Sequence, residues 1–130
     1  MTPFGLLLQI SGLSQREAAH FLSASPSSID KMVRGARSCP VGIITEMRGL
    51  VERQEVAADE ALQMIEGQSP PEIEIGYPVD DYEAQALGWP CIGAWRGMAA
   101  RIVANVDVPV TLVPCGSTPG TAQAADAHGA

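Results

Sequence analysis

Residues 13–37 have the sequence LSQREAAHFLSASPSSIDKMVRGAR, and this segment is the most informative part of the chain. It predicts two short amphipathic helices joined by a tight polar turn. Ser14, followed three residues later by Glu17, forms the capping box that begins the first of them. Ser25 is the expected N-cap of the second, with Pro26 at its first position and Gly35 at its end. The segment therefore predicts a helix-turn-helix.

The composition fits one ordinary domain, or a small domain with a short appendage. The chain has 130 residues, of which 46% are hydrophobic, enough for a packed core. No apolar run approaches the roughly 20 residues of a membrane span, and the N-terminal segment lacks the basic region of a signal peptide. Cys39, Cys91 and Cys115 lie far apart without a CxxC pair. We therefore expect no zinc site, no disulfide framework and a reducing, cytoplasmic location.

The charge is divided unevenly along the chain. Residues 1–53 contain six basic and four acidic side chains, a net charge of +2, whereas residues 54–130 contain two basic and eleven acidic ones, a net charge of −9. Exposed charges are screened beyond about 10 Å at 0.1 M salt, so attraction to phosphate is a local property. The net charge of −7 is therefore compatible with nucleic-acid binding by the first half.

The rest of the chain is predicted to be mainly helical. Pro40 begins a long helical pattern that continues to Gly67, and the polar residues 52–55 are a candidate bend or break within it. Residues 68–71 form the clearest linker. The other predicted elements are helices at 3–10, 80–87 and 90–105 and strands at 73–77 and 108–113, with Pro109 suited to an edge strand. The Gly-, Ala- and Pro-rich residues 114–130 are expected to be a disordered tail.

Residues 4–37 resemble the Cro/cI-type (Xre-like) helix-turn-helix regulators. The matching positions are Gly12, Leu13, Ser14, Gln15, Ala18, Ala19, Leu22, Ser25, Ile29, Arg34, Gly35, Arg37 and Pro40. The resemblance implies a DNA-binding domain at 1–67. It also implies contacts with DNA by Gln15, Pro26, Ser27, Ser28 and Lys31.

Physical chemistry agrees with that set of contacts and extends it. Short hydroxyl groups at a helix N-terminus can reach base edges or phosphates, where the helix dipole also attracts the anion. Gln15 can bind adenine through two hydrogen bonds. Lys31, Arg34 and Arg37 can neutralise backbone phosphates and so position the helix. Arg16 completes the predicted DNA-binding set.

The chain departs from the family at one pair of positions. Many members have Arg at the position of Leu8 and Glu at that of Val33, and the two form a buried ion pair. Both residues are apolar here, as expected if the pair was replaced as a unit, a change that is often neutral or stabilising by about 1–4 kcal/mol. We therefore expect Leu8 and Val33 to be in contact and neither to lie in solvent.

The segment after the linker loosely resembles the C-terminal part of YdiL-like and anti-CRISPR-associated autorepressors. The matching residues are Tyr77, the helix that contains Trp95 and Met98, and the strand 110–113. The resemblance implies a small α+β dimerisation unit at 72–113. Dimerisation is what a symmetric operator requires.

The sequence thus predicts a mainly α protein, with an N-terminal Cro/cI-like helix-turn-helix bundle and a small α+β C-terminal unit. The expected function is sequence-specific repression of transcription by a homodimer on palindromic double-stranded DNA, without a cofactor and away from membranes. The alternative is an antitoxin or adaptor whose acidic C-terminal half binds a protein partner. An enzyme is the least supported class, because no nucleophile, base or metal ligand accompanies the acidic residues.

Overall fold

The computed structural model describes residues 1–115, and residues 116–130 of the predicted tail lie outside the described residues. The described part is mainly helical with one small parallel sheet, so the predicted fold class is confirmed. Its elements in chain order are α1 (Pro3–Ser11), α2 (Gln15–Phe21), α3 (Pro26–Arg34), α4 (Val41–Gln68), β1 (Ile73–Tyr77), α5 (Asp81–Ala86), α6 (Ile92–Asn105) and β2 (Val110–Pro114). Pro114, the first residue of the predicted tail, belongs to β2. Over residues 1–115, no helix combines the length and apolar character needed to cross a membrane.

Each of the first three helices begins at a side-chain N-cap, and two of these caps, Ser14 and Ser25, are the ones that the sequence predicts. The hydroxyl oxygens of Thr2, Ser14 and Ser25 each accept a hydrogen bond from a backbone N–H in the first turn of the helix that follows. Both hydrogen bonds of the Ser14 capping box are formed. Gly12 ends α1 in the left-handed conformation, with φ of +79°, and Gly35 ends α3 at +80°. Non-glycine residues adopt this conformation only at a cost, which explains why glycine ends both helices.

The apolar faces of α1, α3 and α4 pack around one core. Phe4, Ile29 and Met47 are almost completely buried within it. Leu8 is buried and Val33 is partly buried against the same core, so neither side chain lies in solvent. The Val33 carbonyl accepts a 2.8 Å hydrogen bond from Thr2 Oγ1, which joins the start of α1 to the end of α3.

Residues 52–55, the candidate bend or break, do not divide the helix, and α4 is one helix of 28 residues. The reason is Gln54, which is fully buried, whereas its neighbours in the polar patch are exposed. Gln54 Nε2 donates to the carbonyl oxygens of Ser11 and Ala94, both at 2.8 Å. Ser11 ends α1, where carbonyl groups lack partners within the helix. A polar side chain therefore joins α1, α4 and α6 within the core.

Helix α6 packs across α1 and α4, so the chain after the linker contributes to the same core as the chain before it. The close approach depends on glycine. A Cβ atom on Gly97 would overlap the Ser11 carbonyl oxygen and Gln54 Nε2, and one on Gly93 would overlap a Glu17 carboxylate oxygen.

Trp95 and Trp89 are also buried. The guanidinium of Arg53 lies 4.8 Å from the centroid of a Trp89 ring and covers its outer face.

Strands β1 and β2 form a two-stranded parallel sheet, in which Ile73 is paired with Val110 and Tyr77 with Pro114. Parallel strands need a long crossover connection, and here it contains α5 and α6. Pro109 lies immediately before β2, and its carbonyl accepts a hydrogen bond from the Ile73 N–H. The strand therefore begins two residues later than predicted, after the proline that has no N–H to donate.

Candidate nucleic-acid interface

The predicted DNA-binding residues lie on two neighbouring helices and the turn after the second. Gln15 and Arg16 are in the first turn of α2, and the others are in α3 or just after it. Helices α2 and α3 pack directly against each other. All eight side chains are exposed except Ser28, which is partly buried. The structure therefore places the whole predicted set on α2, α3 and the turn that follows α3. We refer to α2, α3 and the turn between them as the α2–α3 unit.

Helix α3 has one buried face and one polar face. Ile29 and Met32 are buried, and the opposite side of the helix carries Ser27, Lys31 and Arg34, which are all exposed. These three residues are spaced at i, i+4 and i+7, which places them on one side of a helix with 3.6 residues per turn. Among the described residues, the main packing partners of α3 are α1 and α2, and the three side chains remain exposed.

Ser28 and Arg37 form a hydrogen-bonded pair within the chain. Arg37 Nη1 donates to Ser28 Oγ at 2.7 Å, and Ser25 Oγ, the N-cap of α3, lies 3.0 Å from the same oxygen. Arg37 lies nine residues after Ser28 in the chain. The Ser28 side chain thus holds Arg37 close to the N-terminal end of α3. A positively charged group and the positive end of the α3 dipole lie side by side, an arrangement that favours an anion.

Arg34 also has a partner within α3. Its Nε donates to Asp30 Oδ2 at 2.9 Å, and both side chains stay largely exposed, at 59% and 46%. An exposed ion pair of this spacing stabilises a helix by only about 0.3–0.5 kcal/mol. The guanidinium is therefore available to a stronger anion, but the Asp30 carboxylate adds a negative charge beside the polar face.

The turn between α2 and α3 is short and tightly held. Ser23 adopts the left-handed conformation, with φ of +53°, and the Ala24 N–H donates to the Ala19 carbonyl at 2.9 Å. Leu22 is buried beside this turn. Because left-handed backbone is unfavourable for a residue with a Cβ atom, the surrounding packing fixes the conformation of Ser23. The direction of α3 relative to α2 is set by this turn.

Glu17 connects the α2–α3 unit to the C-terminal part of the chain. One carboxylate oxygen accepts from the Ser14 N–H at 2.9 Å, and the other accepts from the Gly93 N–H in the first turn of α6 at 2.8 Å. Burial alone raises the pKa of the Glu17 carboxyl, but the hydrogen bonds from Ser14, Gly93 and Cys91 outweigh it, and the pKa is lowered. Burial, together with the negative charge of Glu17 nearby, raises the pKa of the Cys91 thiol to about 11.

A groove of about 760 Å³ lies beside the α2–α3 turn. Arg16, His20 and Pro26 line one part of it, and Asp81 and Gln85 of α5 line another. The Asp81 carboxylate accepts from the Ile92 N–H at 2.9 Å and so caps the start of α6. The acidic α5 therefore borders the surface that carries the predicted DNA-binding residues.

Several functional details could not be predicted from the sequence. The second bond of Glu17, the burial of Gln54 and the capping of α6 by Asp81 all join residues that are at least 11 positions apart. The Ser28–Arg37 pair could have been suspected, because a glycine end to α3 returns the chain toward that helix. No protein-family model and no curated protein matches this chain, so the geometry of the α2–α3 unit is the basis for assigning a function.

Proposed function

We propose that the chain is a sequence-specific DNA-binding repressor of transcription, acting as a homodimer in the cytoplasm, with α3 as its recognition helix. The observation that carries the proposal is the uncovered polar face of α3, on which Ser27, Lys31 and Arg34 are exposed. An α-helix with its side chains is about 10–12 Å across, and the major groove of B-DNA is about 12 Å wide. From Ser27 to Arg34 the helix rises about 10 Å, or roughly three base pairs.

The contacts divide into two kinds. Ser27 and Gln15 carry side chains that can bond base edges, so they are the candidates for sequence preference. Lys31, Arg34 and Arg37 supply positive charge to backbone phosphates, which adds affinity and fixes the position of the helix without selecting a sequence. Ser28 acts indirectly, because its hydroxyl already holds Arg37 at 2.7 Å.

The decisive experiment is a fluorescence-anisotropy titration of the full chain against the DNA upstream of its own gene, at several salt concentrations. The Lys31→Ala/Arg34→Ala double variant removes two phosphate contacts, and each contact contributes about 0.9 to the slope of log affinity against log salt. The slope should therefore become shallower by about 1.8 units.

Arg48→Ala/Arg96→Ala is the matched control, because it removes two exposed arginines that lie outside the α2–α3 unit. It should leave the slope unchanged. Equal slopes for the wild type and the Lys31→Ala/Arg34→Ala variant would contradict the proposal. So would an equal loss in the control.

A further inference from the structure

Helix α1 exposes apolar side chains on the face turned away from the core. It contains no charged residue. Phe4 and Leu8 are buried, whereas Leu6 and Ile10 are 50% and 54% exposed. A helix that is apolar on both faces normally has both faces covered. We refer to Leu6 and Ile10, one helical turn apart, as the α1 ridge.

A groove lies on each side of the α1 ridge. The first, of about 650 Å³, lies between α1 and α4 and is lined by Pro3, Leu7 and Arg48 together with the ridge. The second, of about 460 Å³, lies between Ile10 and α6. Its α6 wall is formed by small residues, Gly97, Ala100 and Ala104, and by two arginines, Arg96 and Arg101. A ridge between two grooves is the surface relief against which another helix packs.

The surface formed by the α1 ridge and its two grooves is basic, whereas the protein as a whole is acidic. The chain has eight basic residues; four lie on the α2–α3 unit and the turn after it, and Arg53 is bound to Trp89 and the Gly88 carbonyl. The remaining three, Arg48, Arg96 and Arg101, all line the two grooves. Arg48 and Arg96 are exposed, whereas Arg101 is partly buried and donates to the Gly97 carbonyl at 2.8 Å. None of the fourteen acidic residues within positions 1–115 lines either groove. The surface is thus basic and largely apolar, with Gln9 and Asn105 as its uncharged polar side chains, in a protein of net charge −7.

We propose that the α1 ridge and its two grooves bind an acidic amphipathic helix of another protein. Aliphatic side chains of that helix would cover Leu6 and Ile10 and enter the grooves, and carboxylates at its margins would pair with the arginines. The small side chains of Ala100 and Ala104 allow the backbone of the partner to come close. This surface is distinct from the polar face of α3 and from the acidic half of the chain.

Other occupants fit the same surface less well. A twofold interface pairs a patch with the same patch on the second copy. A second copy on this face would therefore bring arginines against arginines, and neither groove would supply a carboxylate to pair with them. An anionic membrane would repel the net negative charge of the chain and has no ridges to fill two grooves. Nucleic acid offers phosphates to the arginines but leaves the exposed leucine and isoleucine uncovered.

The test is a selection from a displayed library of random 16-residue peptides. The full-length wild type is the target, and clones that also bind a Leu6→Ser/Ile10→Ser variant are removed. We expect the remaining clones to be enriched in Asp and Glu beside Leu or Ile. As synthetic peptides, they should bind Arg48→Ala/Arg96→Ala at least tenfold more weakly than the wild type.

Val56→Ser/Met64→Ser is the matched control, because it removes two apolar side chains of α4 that are 51% and 64% exposed. It should bind the selected peptides as the wild type does. The proposal is overturned if no clone distinguishes the wild type from the ridge variant, or if the clones lack acidic residues. It is also overturned if the ridge variant abolishes self-association in sedimentation, or abolishes binding to vesicles of anionic lipid.

Discussion

Replacing Gly97 by Ala should destabilise the protein, although alanine is the better helix former. A Cβ atom at this position would overlap the carbonyl oxygen of Ser11 and Nε2 of Gln54, and it would lie 2.9 Å from the Ser11 carbonyl carbon. Two of these atoms belong to backbone, which cannot rotate away. Helices α1 and α6 must therefore separate, and the buried hydrogen bond between Gln54 and Ser11 must lengthen or break.

The size of the effect is the sum of three contributions. Overpacking of a core costs about 1–3 kcal/mol, and a buried hydrogen-bonding group left without its partner costs about 1–3 kcal/mol. The higher helix propensity of alanine offsets this loss by about 1 kcal/mol. We expect a net loss of about 1–5 kcal/mol in the free energy of unfolding.

Gly49→Ala is the matched control, because Gly49 also lies within a helix but a Cβ atom there would have nothing within 4 Å. This variant should be more stable than the wild type by about 0.5–1 kcal/mol. Urea titrations followed by far-UV circular dichroism measure both changes. If Gly97→Ala unfolds at the same urea concentration as the wild type, or at a higher one, the close packing of α1 against α6 is refuted.

Three further predictions concern the α2–α3 unit. Ser23→Gly should raise the free energy of unfolding by about 0.5–1 kcal/mol, because glycine adopts the left-handed conformation without strain; an unchanged urea midpoint would contradict this. Glu17→Gln should destabilise the protein at pH 7 by about 1 kcal/mol through the loss of its charged capping bonds. The pKa of Glu17 is lowered in the folded state. The stability difference between the wild type and Glu17→Gln should therefore shrink as the pH falls from about 4.3, the ordinary pKa of a Glu carboxyl, toward the lowered folded pKa. A stability difference that stays constant down to pH 3 would contradict this prediction. Asp30→Asn should tighten DNA binding severalfold at low salt by removing a negative charge beside Arg34, and a weaker complex in the anisotropy assay would argue against α3 as the DNA-contacting helix.

The helix-turn-helix part could be predicted because its signals are local. Ser14, Ser25 and Gly35 each act within three or four residues of their own position, and the structure places all three at the helix ends expected of them. The inward positions of α3 are predicted by helical periodicity in the same way. Helix caps and inward-facing positions depend on residues that are close together in the chain, so a single sequence is enough to predict them.

The features that could not be predicted depend on distant parts of the chain. Residues 52–55 resemble a break because a polar patch is normally solvated, but Gln54 is held by carbonyl groups 43 and 40 positions away. The packing of α6 on α1 depends on the absence of side chains at Gly12, Gly93 and Gly97. The spacing of Gly93 and Gly97 on a predicted helix indicates close packing, but it does not identify α1 as the partner. The parallel pairing of β1 with β2 depends on the path of the whole crossover.

The single carboxylate of Glu17 spans two parts of the molecule that are 76 positions apart in the chain. Its two oxygens restrain the first turn of α2 and the first turn of α6 at once, so neither turn can shift without stretching a bond to the other. The start of α2, where Gln15 and Arg16 lie, and the first turn of α6 are therefore joined by hydrogen bonds to one carboxylate. Displacement of the first turn of α6 would therefore strain the start of α2 through this carboxylate.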